Sequence, residues 1–270
     1  VRLGGFVIHG DAAATLPACL DALGAVCDDV VAVDSGSRDG SADLVRARGM
    51  RRIEHPWEGY GAARAVAARA LAGCDYLFFL DSDEWLVASE LERLRAWKAS
   101  APSAPYYTVV RRDWADLPGG RFVFASDPHV RIARPERATW TARMLVHEAL
   151  PRREALSTGV VIEHRFATSL ASFRAKEDRY ALLWALQAHA EGRRPKWPAL
   201  QTPAHALRLA LAKGALFRGG RAGLALAWGF GRYHARKHAL LRELRRGAYP
   251  ELVRALAEER FADVYRMIPG

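Results

Sequence analysis

The amino-acid sequence predicts an α/β fold, a parallel sheet flanked by helices, with a C-terminal helical extension. Short apolar runs alternate with helical-period segments up to about Lys98, and helical spacing returns at Ser169 and holds almost to the end. At 270 residues, half of them hydrophobic and 26% charged, the chain can build one sizeable core or a catalytic domain with an appendage.

Each element has its own reason. Residues 3–8, 30–33 and 76–80 are apolar runs of strand length, the pattern of parallel strands buried on both faces. Residues 13–25 and 60–71 carry apolar side chains at helical spacing, with Ala, Arg and Leu as good helix formers. After Lys98 the segments 106–111, 121–124, 130–133 and 160–163 read as strands separated by Pro and Gly turns, and 144–146 as a further short strand. Breaks in the helical part are expected at 195–203, 219–220 and 249–250, leaving amphipathic helices over 204–216 and 221–241. The expected division is a first domain over 1–165 and a basic helical extension over 166–270.

Charge is unevenly spread. From residue 152 there are 22 Lys+Arg against 10 Asp+Glu, a net +12; before it there are 18 against 20, a net −2. A basic surface of this kind attracts phosphate groups, whether of nucleic acid, anionic lipid or phosphorylated glycolipid. The cysteines Cys19, Cys27 and Cys74 are odd in number and lack C-x-x-C spacing, so neither a disulfide framework nor a zinc cluster is expected. The run after Val1 lacks the basic start and long apolar core of a signal peptide, and no apolar stretch reaches the ~20 residues of a membrane span. The expected location is the cytoplasm.

Two segments carry the chemistry. In VVAVDSGSRDGS, residues 30–41, an apolar strand delivers Asp34 to its carboxyl end, where open α/β sheets place ligands. Ser35, Gly36 and Ser37 then form a tight turn rich in N–H and hydroxyl donors, and Asp34 suits a contact to a base or ribose. In YLFFLDSDEWL, residues 76–86, a second strand delivers Asp81 and Asp83, with Ser82 between them and Glu84 adjacent. Clustered hard oxygen ligands at a strand end suit Mg²⁺ or Mn²⁺, which keep positions open for phosphate oxygens.

These motifs together resemble the inverting family-2 glycosyltransferases. V-D-S-G-S-x-D-G-S is followed some forty residues later by F-L-D-S-D-E, and 58–71, EGYGAARAVAARAL, is similar to the family's glycine-rich helix start. The resemblance implies a GT-A nucleotide-sugar-binding fold, with Arg64 facing the donor diphosphate and Asp11, Asp34, Ser35, Gly36, Ser37, Asp81 and Ser82 around the donor. Two positions depart from the family pattern: Ala65 stands where an Asn is usual, and the first strand runs into His9-Gly10-Asp11-Ala12 instead of a Thr-x-Asn-Glu type sequence. Asp127-Pro-His-Val-Arg131, Val146-His147-Glu148 and the stretch from Phe217 to Lys237 resemble the lipopolysaccharide-core β-glycosyltransferase branch.

From this resemblance Glu148 is expected as the general base, with Asp127 and His147 as substitutes, and His164 as completing a metal shell of Asp81 and Asp83. The expected donor is a nucleotide-sugar, a UDP-sugar by preference, and the acceptor a glycolipid or saccharide hydroxyl. The arginines from Arg218 to Arg246 and Lys237, interleaved with Phe217, Trp228, Phe230 and Tyr233, suit an anionic membrane surface, which implies a peripheral position at its inner face.

A nicotinamide-dependent dehydrogenase is excluded because no G-x-G-x-x-G follows the first strand. A sugar-phosphate nucleotidyltransferase also uses sheet-end carboxylates and a divalent cation. A nucleic-acid binder fits the pI of about 9.9 but leaves the aspartates unexplained, so no nucleic-acid partner is expected.

Overall fold

The computed structural model describes residues 1–146 and 148–268. The first part runs β1 (Leu3–His9), α1 (Leu16–Val26), β2 (Asp29–Asp34), α2 (Ser41–Ala47), β3 (Arg51–Glu54), α3 (Tyr60–Ala70), β4 (Tyr76–Asp81), β5 (Glu84–Trp85) and α4 (Ala88–Ala99). Three long strands follow, β6 (Tyr106–Leu117), β7 (Gly120–Ala133) and β8 (Ala155–Ala167). The helices α5 (Leu170–Ala190), α6 (Pro198–Leu207), α7 (Ala215–Arg245), α8 (Pro250–Ala257) and α9 (Phe261–Met267) complete the chain, with a π-helical turn, Arg208–Ala212, between α6 and α7.

The strands form one sheet in the order β3-β2-β1-β4-β7-β6-β8-β5. β1 lies between β2 and β4 and is parallel to both, with His9 opposite Asp34 and Ile8 opposite Asp81. That register brings the carboxyl ends of β2 and β4 to one level, on either side of the end of β1.

Two compact units divide the chain. The first comprises Val1–Arg112, Asp127–Ala142 and Glu148–His164. Its core packs Leu16, Leu20 and Leu23 of α1 with Val7, Ala32, Tyr76, Phe78 and Leu80 of the sheet, all buried. Glycine is required at Gly5, where a Cβ would lie 2.6 Å from the Cys27 sulfur, so the absence of a side chain lets the end of α1 close onto β1.

The second unit is built from Asp113–Ser126, a short segment beginning at Arg143, and the chain from Arg165 onward. Its core gathers Phe122, Phe124, Phe173, Leu209 and Leu226. Ser169 caps α5 by accepting a hydrogen bond from the Ser172 N–H at 3.0 Å. In α7, Gly220 has a non-helical backbone (φ 51°) and kinks the helix at the expected break. Among the described residues no helix is long and apolar enough to cross a membrane.

Three expectations need correction. Residues 144–146 form no strand: Leu145 and Val146 are buried, but the Leu145 N–H donates to the Gln187 side-chain oxygen at 3.1 Å instead of to a sheet neighbour. The segments 121–124 and 130–133 belong to one strand, β7, which continues through Pro128. The break expected over 195–203 ends early, because Pro198 falls in the first turn of α6, where proline is tolerated, and Pro203 lies inside that helix.

Candidate active site

The turn after β2 is organised by one buried carboxylate. Asp34, with no exposed surface, accepts on Oδ1 from the Gly36 N–H (3.1 Å), the Ser37 N–H (2.8 Å) and the Ser37 hydroxyl (2.7 Å), and on Oδ2 from Arg52 Nε (2.7 Å). Burial alone would raise its pKa, but the bonds from Ser37 and Arg52 outweigh burial and hold it at about 2. Four donors use most of the carboxylate's acceptor capacity, so Asp34 shapes the turn and keeps little for a ligand. Gly36 takes a left-handed backbone (φ 88°) that the turn needs, and the Ser35 hydroxyl is buried without a hydrogen-bond partner among the described residues. Asp11, also left-handed at φ 45°, ties the two loops together: its Oδ1 accepts from the Arg38 N–H at 2.7 Å, and its own N–H donates to Ser37 Oγ at 3.2 Å.

At the end of β4 a buried ionic network replaces the cluster of bare carboxylates expected from the sequence. Arg64, on α3 and 4% exposed, donates from Nη2 to Asp81 Oδ1 (2.6 Å) and from Nε to Glu148 Oε1 (2.9 Å). Arg131, on β7, donates from Nη2 to Asp81 Oδ2 (2.7 Å) and also contacts Glu84. Both guanidiniums lie over the Phe79 ring, at 5.1 and 5.3 Å from its centroid. Burial opposes ionisation of Asp81, yet Arg131 and Arg64 hold its pKa well below the usual carboxylate range. Glu84, fully buried, accepts from the Asp81 N–H at 2.9 Å; burial pushes its pKa up to about 7, against the pull of Arg131. Two donors remain: Arg64 Nη1 and Arg131 Nε are buried and have no hydrogen-bond partner among the described residues.

The other expected residues fall around this network. Asp83, 29% exposed at its side chain, faces His164, with Oδ2 at 3.5 Å from Nε2. β5 pairs antiparallel with β8 in a register that sets Glu84 opposite His164. Ser82 lies in the turn between Asp81 and Asp83, and Asp127 lies half-buried within β7. Trp140 Nε1 donates to the Glu148 carbonyl at 2.8 Å and fixes the backbone there. His147 lies outside the described residues.

This arrangement, hydrogen-bonded loops and acidic turns at the carboxyl ends of parallel strands, agrees with a direct comparison: the model of Glycosyl transferase family 2 matches residues 7–167. The chain belongs to glycosyl transferase family 2. It is 30% identical over 82% of its length to the lipopolysaccharide core biosynthesis glycosyltransferase LpsC of Rhizobium meliloti, 84% of which is covered. A TPR repeat-containing protein of Synechococcus elongatus is 31% identical over 48% of this chain, which spans only 33% of that relative. Among solved structures, the mannosyltransferase PcManGT of Pyrobaculum calidifontis aligns with 97% of this chain and 86% of its own at a TM-score of 0.47 and 18% identity. The chain is a family-2 glycosyltransferase with the GT-A fold and C-terminal helices.

The donor set of this transferase fits a divalent ion in a limited way. Asp81 has both oxygens on guanidiniums, and no group of three His, Cys, Asp or Glu side chains able to hold a metal ion occurs among the described residues. Asp83 and His164 remain, a hard carboxylate beside an imidazole. Two protein ligands are enough where substrate phosphates and water complete the shell, as is usual for Mg²⁺.

In the sequence Glu84 stands out only as a neighbour in the acidic cluster, and Arg131, quoted within a motif, has no assigned role, although one signal was present. An arginine inside the apolar strand sequence Val130-Arg131-Ile132-Ala133 must be buried, and a buried guanidinium demands carboxylate partners.

Proposed function

We propose that this transferase is an inverting hexosyltransferase that moves a hexose from a nucleotide-sugar, a UDP-sugar by preference, to a hydroxyl of a glycolipid or saccharide, with the lipopolysaccharide core as acceptor class. Similarity to LpsC over most of both chains supports the acceptor class. The observation that carries the donor half is the pair of buried N–H donors, on Arg64 and Arg131, that have no partner among the described residues and lie at the end of the parallel strands. Buried guanidinium donors without a partner are suited to the oxygens of a diphosphate, and their charge stabilises it as it departs.

In this reading Glu148 takes the proton of the acceptor hydroxyl while its oxygen bonds to the anomeric carbon, on the face opposite the departing nucleotide diphosphate. The Arg64 Nε bond orients the Glu148 carboxylate for that step. Asp83 and His164 would hold Mg²⁺ or Mn²⁺, which supplies positive charge to the leaving group when bound. The Ser35 hydroxyl and the turn shaped by Asp34 and Asp11 receive the base and ribose.

The helical part supports a peripheral position on an anionic membrane. Trp197 is 72% exposed and Phe217 78%, and Leu200, Leu207, Leu211 and Trp228 are exposed too, all within 32 residues of the chain. Exposed Lys196, Arg208 and Arg221 accompany them. Tyr233 and Lys237, expected at that surface, are instead buried, with the Lys237 ammonium 4.7 Å from the Trp184 ring and 5.0 Å from the Tyr233 ring.

The test of the donor assignment is a thermal-shift series with UDP-, GDP-, ADP- and dTDP-sugars, with and without Mn²⁺. A true donor at a hundredfold excess over its Kd stabilises by about 2.7 kcal/mol. A metal-dependent shift with one nucleotide class is expected; no shift with any of them contradicts the reading.

A further inference from the structure

The second unit contains a cavity of about 360 Å³ between α5, α6 and α7. That volume lies within the range of small-molecule sites. Its wall combines three kinds of chemistry. Phe173 and Tyr233 contribute aromatic surface, Arg174, Arg232 and Arg236 contribute three guanidiniums, and Glu177 and Asp178 contribute two carboxylates.

The polar groups are incompletely used within the protein. Glu177 Oε2 has no hydrogen-bond partner among the described residues although it is shielded from solvent, an arrangement that is unfavourable unless something else donates to it. Burial raises the Glu177 pKa to about 7, opposed by Lys176 and Lys237 and reinforced by Asp178. Arg174 and Arg232 form no ion pair among the described residues, and Arg236 reaches Glu243 only at 3.6 Å. Two unpaired guanidiniums at one cavity favour an anion, and a lone carboxylate oxygen beside them favours a hydroxyl donor on the same molecule.

We propose that this cavity is a second binding site, which takes a saccharide bearing a phosphate or carboxylate group. The guanidiniums of Arg174, Arg232 and Arg236 hold the anion, Glu177 accepts from a ring hydroxyl, and Phe173 and Tyr233 pack against the C–H face of the ring. The choice of a saccharide over other hydroxylated anions rests on the sugar-transfer reading; the anion preference rests on the cavity alone.

Isothermal titration of the full chain with glucose 6-phosphate, glucuronate, glucose and inorganic phosphate tests this directly. The two anionic sugars should bind at least tenfold more tightly than glucose or inorganic phosphate. The exposed substitutions Arg174→Glu and Arg232→Glu should each weaken them tenfold or more, as should Glu177→Met. Neutral vesicles carrying a phosphorylated glycolipid form a second arm: tighter binding there than to free glucose 6-phosphate assigns the lipid-linked source, and equal binding the free one. An Asp83→Ala chain should keep this binding while losing metal-dependent donor binding, which separates the cavity from the transfer site. No binding of either anionic sugar, unchanged affinity in both arginine variants, or equal affinity for inorganic phosphate would overturn the proposal.

Discussion

Replacing Asp34 by Asn isolates what its charge contributes to the turn after β2. The asparagine carbonyl can keep the three bonds to Gly36 and Ser37, but its NH₂ group faces Arg52 Nε, which now bonded Oδ2 at 2.7 Å. A carboxylate held at about 2 in the fold, against about 3.8 in the unfolded chain, contributes about 2 kcal/mol at neutral pH. Asp34 has no exposed surface, so solvent does not screen this contribution away. Its pKa is depressed in the fold. The stability is therefore present above the unfolded pKa and lost as pH falls through the folded one, with about half left at pH 3. Urea unfolding of wild type and Asp34→Asn should differ by about 2 kcal/mol at pH 7 and by about 1 kcal/mol at pH 3. A difference that does not change with pH would refute the electrostatic argument and leave only a packing effect.

Other outcomes follow from the same geometry. Arg131→Met removes the guanidinium that contacts buried Glu84 and leaves Asp81 with Arg64 alone, and should destabilise by roughly 3–5 kcal/mol in urea unfolding, part of which returns in the double variant with Glu84→Gln. Gly231→Ala places a Cβ 2.4 Å from the Thr202 backbone oxygen, so the α6–α7 contact must open; a loss of about 1–3 kcal/mol is expected by the same measurement. Trp197→Ser with Phe217→Ser should reduce sedimentation with anionic vesicles at every salt concentration, whereas raising salt should weaken the wild-type chain through its arginines and lysines.

The core strands β1, β2 and β4 were legible because both of their faces are buried, which writes them as continuous apolar runs. β3 was not, since its four residues, Arg-Arg-Ile-Glu, lie at the sheet edge with Arg51 and Glu54 exposed. β6 extends past Arg111 through charged residues, of which Arg112 is satisfied across the sheet, donating to Glu163 at 2.9 Å. The misread strand at 144–146 shows the converse, for apolarity records burial and not extension. In the site, Asp34 and Asp81 were visible because each directly follows an apolar run, at the carboxyl end of a parallel strand, although Asp34 proves to shape the turn there. The bond from Arg64 to Glu148 joins positions 84 apart, and no local pattern encodes it.

If the Glu148 carboxylate held by Arg64 takes the acceptor proton, turnover of the Glu148→Gln variant must fall. With the donor identified by thermal shift, that variant should bind donor as the wild type does and lose roughly 10²–10⁴-fold in transfer rate. Wild-type turnover in Glu148→Gln, with the loss appearing in Asp127→Asn instead, would contradict the assignment.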